Sequence, residues 1–376
     1  MEHDTTNTKT KVRSEKKNAC LLLLCLAAAL LVMAAIIFCI DPFYHYHSVW
    51  FELPVAMNQA VYQTPGAARN MEYDSVIVGT SMTENFHSSW FDELGWKTLK
   101  LSYSGARTDD LRAIFHQIFE KGKKPEHVVM DINAYQLTEP YWSAYAERPD
   151  YLYDENPFTD VSYLYNQDVF LASLNCVMDK LQGKVSNLDD AYTWENPSYF
   201  GREQALESAK ETKWKLQAGD WSQKETLEKM LENCDQNLNN ITGYIEDNPD
   251  TEFFVFYPPY SMLYWEQEVL KEELEEMMIL YKRSVMRLLA YENVKVFYFQ
   301  DEWEIISDLN NYRDVNHYRP EYNRYIFECI RDGKNELTLD NYKEHLDNMY
   351  EYALHFDYDA LWAADAGELE KTEKAK

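Results

Sequence analysis

The chain has 376 residues, with 36 Lys and Arg against 64 Asp and Glu, and a formal net charge of −28. Hydrophobic residues make up 46% and aromatic residues 15%, which supports a packed core and excludes an intrinsically disordered chain. So acidic a surface repels phosphate backbones and excludes nucleic acid as a partner, while only 11 Gly and 12 Pro exclude collagen-like or linker-like character.

Residues 1–18 form a basic tail, in which Lys9, Lys11, Arg13, Lys16 and Lys17 outnumber Glu2, Asp4 and Glu15. Ala19 to Ile40 reads ACLLLLCLAAALLVMAAIIFCI and carries no charge. A helix over residues 19–40, at about 1.5 Å per residue, spans roughly 33 Å, the thickness of a hydrocarbon core. The basic flank before it and Asp41 after it predict a single-pass signal-anchor in the cell membrane, with the N-terminus cytoplasmic and the rest extracytoplasmic. A cleaved signal peptide would have a shorter apolar region, about 7–15 residues.

Residues 41–72 read as a juxtamembrane connector. His45 and His47 lack a neighbouring carboxylate cluster and fit an interfacial aromatic belt better than a metal site. Outside the apolar run lie only Cys176, Cys234 and Cys329, at wide spacings without a C-x-x-C, so neither zinc nor a disulfide framework is indicated.

From 73 to 355 the pattern is that of one α/β domain. Strands are predicted in DSVIVGTS (74–81), TLKLSYSG (98–105), HVVMDIN (127–133), FFVFYPP (253–259) and VKVFYF (294–299). Helices are predicted over 108–121, 223–246, 265–290 and 320–331. Short apolar strands alternating with helices indicate a parallel sheet covered on both faces, an α/β/α sandwich. Residues 134–222 break the rhythm and read as an aromatic-rich insertion over the strand ends, where such sheets bind ligands. Tyr141, Trp142, Tyr145, Tyr151, Tyr153, Tyr192 and Trp194 there suit stacking on sugar rings or a small core of the insertion itself. Residues 356–376 read as an acidic, disordered tail.

Three segments carry candidate chemistry. In GTSMTENF the strand runs through Gly79 into Ser81 at the start of a helix, which suits an exposed nucleophile or an ordinary N-cap serine. In DVNH, after the last strand, Asp314 stands three residues before His317, a spacing that lets a carboxylate orient an imidazole toward a nucleophile. Gly105 and Asn133 end the second and third strand segments, where they suit oxyanion donors or ordinary turn and cap residues.

This order of Ser81, Gly105, Asn133 and Asp314-x-x-His317 resembles the SGNH/GDSL hydrolase superfamily over about residues 74–331. The first block reads Gly-Thr-Ser rather than Gly-Asp-Ser, and the third reads Asp-Ile-Asn rather than Gly-x-Asn-Asp. The resemblance implies a flavodoxin-like three-layer fold, with Ser81 as nucleophile, His317 as general base, Asp314 as its orienting partner, and Gly105 and Asn133 in the oxyanion hole, without metal or cofactor. With the anchor and FYPPYS (256–261), it is similar to the extracytoplasmic branch containing teichoic-acid D-alanyl-transfer and alginate O-acetylation proteins. That similarity implies acyl transfer to, or ester hydrolysis on, a cell-surface glycan or wall polymer, beside a membrane-bound O-acyltransferase. The same residues also fit a non-catalytic scaffold that binds glycan or docks such an acyltransferase.

Overall fold

The computed structural model describes residues 3–56, 60–142, 148–154, 156–189, 192–219 and 225–363. Tyr145 and the chain end 364–376 lie outside the described residues.

The five apolar runs form β1 (Ser75–Gly79), β2 (Thr98–Ser102), β3 (His127–Asp131), β4 (Glu252–Tyr257) and β5 (Val294–Tyr298). They pair in parallel in the order β2-β1-β3-β4-β5. A short β6 (Glu336–Leu337) adds antiparallel at the β5 edge. The order 2-1-3-4-5 is that of a flavodoxin-like, doubly wound sheet. Side chains alternate across it as the pleat requires. On β4, Phe253 and Tyr257 meet Phe119 and Tyr281 on one face. Phe254 and Phe256 meet Trp96 and Phe86 on the other, where Phe91 joins Phe327 of the helix Pro320–Asp332. The result is an α/β/α sandwich.

The N-terminal helix His3–Ile40 contains one stretch, Glu15–Ile40, long and apolar enough to cross a membrane. Beyond it the structure corrects several expectations. Within the connector, Ala60–Asn70 is helical, and its Val61, Ala67 and Ala68 are buried in the main core, so the core begins before residue 73. The long helix expected over 265–290 is two, Met262–Leu270 and Leu274–Leu288, broken at Glu272 with φ 57°. No Gly or Pro marks that break in the sequence. The tail does not begin at 356, because Tyr358–Ala363 is helical and buries Leu361.

The stretch 134–222 is not one cover over the strand ends. Helices Asp150–Tyr153, Val161–Leu164 and Gln167–Leu181 build a second small core with Ile37 and Phe43 at the end of the N-terminal helix. Helix Arg202–Gln217 packs instead on Met262–Leu270. Among its described residues, the part around Trp194 reaches the His317 ring of the site described next. Tyr153 and Tyr192 are engaged inward, by Val61 O at 2.9 Å and by Gln63. Tyr141 and Trp142 remain exposed. His45 pairs internally with Asp160 at 3.0 Å, while His47 stacks on Trp50 where the N-terminal helix ends. Burial raises the thiols of Cys176 and Cys234, to about 11 and about 12, and these two and Cys329 are buried and free.

Candidate active site

The sheet order reverses between β1 and β3, so a crevice opens beyond their C-terminal ends. The turn after β1 is shaped by close approach. A Cβ on Gly79 would lie 2.0 Å from Asp131 Oδ1, so only glycine fits there. Asp131, fully buried at the end of β3, accepts from Thr80 N–H (2.9 Å) and from the Thr80 hydroxyl (2.5 Å). That hydroxyl in turn accepts from Met82 N–H at 3.2 Å, so Thr80 is the N-cap of the one-turn helix Ser81–Glu84. Capping by Thr80 leaves the Ser81 hydroxyl without a structural duty.

Ser81 Oγ lies 2.8 Å from His317 Nε2. His317 Nδ1 lies 2.8 and 2.9 Å from the two carboxylate oxygens of Asp314. Burial works against ionisation of Asp314. Hydrogen bonds from the His317 ring and from the His317 and Asn316 backbone N–H groups outweigh it, holding the carboxyl below its ordinary value. An ionised carboxylate only accepts, so Nδ1 carries the hydrogen and Nε2 accepts from the Ser81 hydroxyl. Ser81 and His317, 236 positions apart in the chain, thus close into a Ser-His-Asp arrangement.

Local pairing fixes the His317 loop. Tyr312 and Tyr318 form an isolated antiparallel bridge, and Arg313 N–H donates to His317 O at 2.9 Å. Ser261, from the FYPPYS segment after β4, donates both its N–H (3.1 Å) and its hydroxyl (2.7 Å) to Val315 O. Asn323 and Tyr318 both donate to Met82 O, tying the loop to the Ser81 helix.

Gly105 has φ 68° in the turn after β2, the left-handed region that glycine occupies freely. Among the described residues neither the Ser81 nor the Gly105 backbone N–H donates to a protein acceptor. Asn133 is arranged otherwise than expected. Its amide donates to Thr80 Oγ1 (3.0 Å) and to Asp131, and its carbonyl accepts from the Tyr260 hydroxyl at 2.6 Å. Its amide hydrogens are taken by Thr80 and Asp131 and its carbonyl by Tyr260, so Asn133 positions the β1 turn and does not aim into the Ser81 crevice.

Further residues complete the site, and of these the sequence marked only Trp194, as an aromatic for sugar stacking or for a small core. The Trp194 ring meets the His317 ring edge-on at 5.2 Å, and its backbone N–H donates to Asn85 Oδ1 at 2.9 Å. Buried Lys100 on β2 donates to the carbonyls of Glu84 (2.6 Å), Phe86 (3.1 Å) and Asp189 (2.7 Å), pinning the strand of chain that leads to Trp194. Burial pushes the Glu84 carboxyl up to about 7, against the attraction of Lys100. Charged residues in otherwise apolar strands, Lys100 in TLKLS and Asp131 in HVVMD, are the one sequence signal that would have marked this network. No group of three or more His, Cys, Asp or Glu suited to a metal ion occurs among the described residues.

Compared with models of protein families the chain matches none, and no curated protein matches it.

Proposed function

We propose that the chain is a serine acyl-transfer enzyme of the SGNH type, an O-acyltransferase or esterase held at the outer face of a membrane by its N-terminal helix. The observation that carries this reading is the 2.8 Å approach of Ser81 Oγ to His317 Nε2, with Asp314 behind the ring. In the proposed reaction His317 Nε2 takes the Ser81 proton as Oγ attacks an acyl carbonyl. The N–H groups of Ser81 and Gly105 stabilise the oxyanion. The imidazolium returns the proton to the leaving oxygen, leaving an acyl-Ser81 ester. The same nitrogen then takes the proton of the acceptor, water in an esterase or a glycan hydroxyl in a transferase, as that oxygen bonds to the acyl carbon, and returns it to Ser81 Oγ as the acyl-Ser81 bond breaks. Tethering beside the bilayer favours a cell-surface polysaccharide or wall polymer as acceptor, with a membrane-bound O-acyltransferase as the source of acyl groups.

A fluorophosphonate probe tests the nucleophile on the full-length protein. It should label the wild type and leave Ser81→Ala unlabelled. Equal labelling of both would refute the serine mechanism. An unlabelled wild type that still binds glycan would favour a scaffold.

A further inference from the structure

The helix Gln167–Leu181 has two apolar faces. Its inner face buries Val169 and Ala172 in the second core, which also holds Ile37, Phe43, Leu152 and Tyr163, and Cys176 on the same face is buried too. On the opposite side Leu171, Leu174, Met178 and Leu181 follow at spacings of three, four and three residues, one continuous stripe of a 3.6-residue helix. All four are exposed, Met178 by 51% and Leu181 by 77%. Val185, four residues beyond Leu181, and the loop residues Val49, Trp50 and Phe51, which follow the N-terminal helix, are exposed as well. A surface helix of a water-soluble domain carries polar residues on that side.

The inner face shows what covers the outer one. The residues it packs on include Met33 and Ile37 of the N-terminal helix, seven and three residues before that helix ends at Ile40. At about 1.5 Å per residue, Met33 lies roughly 10 Å inside the end of the apolar run. A helix packed there sits at the depth of the headgroup and acyl boundary, and its side facing away from the anchor meets lipid. Trp50 strengthens this placement, stacked on His47 and edge-on to Phe38 just where the anchor ends.

We propose that the Leu171–Leu181 face, with Val49–Phe51, is immersed in the outer boundary of the bilayer. It acts as an interfacial helix that, with the anchor, holds the domain in a fixed orientation. The occupant is phospholipid, bound through its acyl region, because the net charge of −28 gives no attraction to anionic headgroups. The proposal rests on the reading of the N-terminal helix as a retained membrane anchor. Its consequence is positional. Trp194, at the His317 ring, is only thirteen positions after Leu181, so at about 3.5 Å per residue the site lies within about 45 Å of that face.

The test uses the full chain in phosphatidylcholine nanodiscs, with Cys20, Cys25 and Cys39 replaced by Ala and one nitroxide at a time. Labels replace Met178, Val32 as the anchor reference, and Lys210 as the aqueous reference. Oxygen, which concentrates in lipid, and a nickel chelate, which stays in water, are the relaxing agents. The Met178 label should follow Val32 in favouring oxygen, opposite to Lys210. Val32 in lipid with Met178 in water would overturn the proposal and leave the anchor standing. Val32 in water would overturn the anchor reading and the proposal with it. A Met178 label shielded from both agents would mean that a second copy or an integral membrane protein covers the face, which overturns the assignment to lipid.

Discussion

Thr80 and Ser81 are neighbours with hydroxyls and opposite duties. Thr80 spends its donor and both acceptor positions on Asp131, Met82 and Asn133, and Ser81 is left to face His317. Asp314→Asn should keep the fold yet slow turnover by about 10³–10⁴-fold, since an amide also donates and lets the imidazole settle in the wrong tautomer. Hydrolysis of p-nitrophenyl acetate alongside a thermal melt measures this, and near-wild-type turnover would remove Asp314 from the mechanism. Glu84 gives a second residue-scale prediction. Its folded-state pKa of about 7 exceeds the ordinary 4.5 because burial disfavours the anion, and Lys100, Trp194 and His317 only partly oppose that. The folded state therefore holds a proton that the unfolded state has lost between pH 4.5 and 7, and stability falls as pH rises through that window. Glu84→Gln removes the effect. It should stabilise the protein by up to about 3 kcal/mol at pH 8 and change little at pH 4.5. Equal shifts in melting temperature at both pH values would refute this. Ser81, His317 and Asp314 were legible because their signals are local: strand-Gly-x-Ser and Asp-x-x-His. Glu84 was not, nor was the contact of Trp194 with His317, because both depend on contacts made across the fold.

At the scale of elements, the site is a meeting of loops that backbone pairing holds rigid. β1 and β3 lie in register so that Gly79 faces Asp131, and the Tyr312–Tyr318 bridge presents His317. Asp131→Ala would strand the Thr80 N–H, the Thr80 hydroxyl and the Asn133 amide in a fully buried place. Leaving buried donors unpaired costs about 1–3 kcal/mol each. The variant should lose about 3 kcal/mol or more and lower activity through displacement of Ser81. Denaturant unfolding measures the first and fluorophosphonate labelling rate the second; unchanged labelling would show that the β1 turn holds itself. The strands themselves were readable, since five apolar runs bounded by Gly, Pro or polar residues became five strands. The break at Glu272 was not, because the residues around it are good helix formers. Nor was β6, whose pairing is set by β5 rather than by its own two residues.

At the scale of the whole molecule, alternation of strands and helices was enough to give a parallel sheet covered on both faces; the strand order, and with it the switch point beside Ser81, is set by how the strands pair. It was not enough for residues 134–222, whose two halves pack on different partners: the end of the N-terminal helix, and the helix Met262–Leu270. Composition alone cannot separate them. The net charge of −28 makes a claim at this scale about the acceptor. Long-range repulsion between an acidic domain and a polyphosphate polymer is screened within about 10 Å at 0.1 M salt. An amino-sugar glycan would instead be attracted at low salt. If the proposed transfer takes place, its kcat/KM with a cationic amino-sugar oligomer should fall as sodium chloride rises from 0.02 to about 0.5 M, with kcat nearly constant, because screening acts on encounter and not on the chemistry at Ser81. Hydrolysis of neutral p-nitrophenyl acetate, followed in parallel, should stay flat and so exclude a salt effect on the fold. A rate that rises with salt for a phosphate-bearing polymer, and exceeds that for the amino-sugar oligomer even at low salt, would place recognition in local contacts near the crevice and remove the acidic surface from the choice of acceptor.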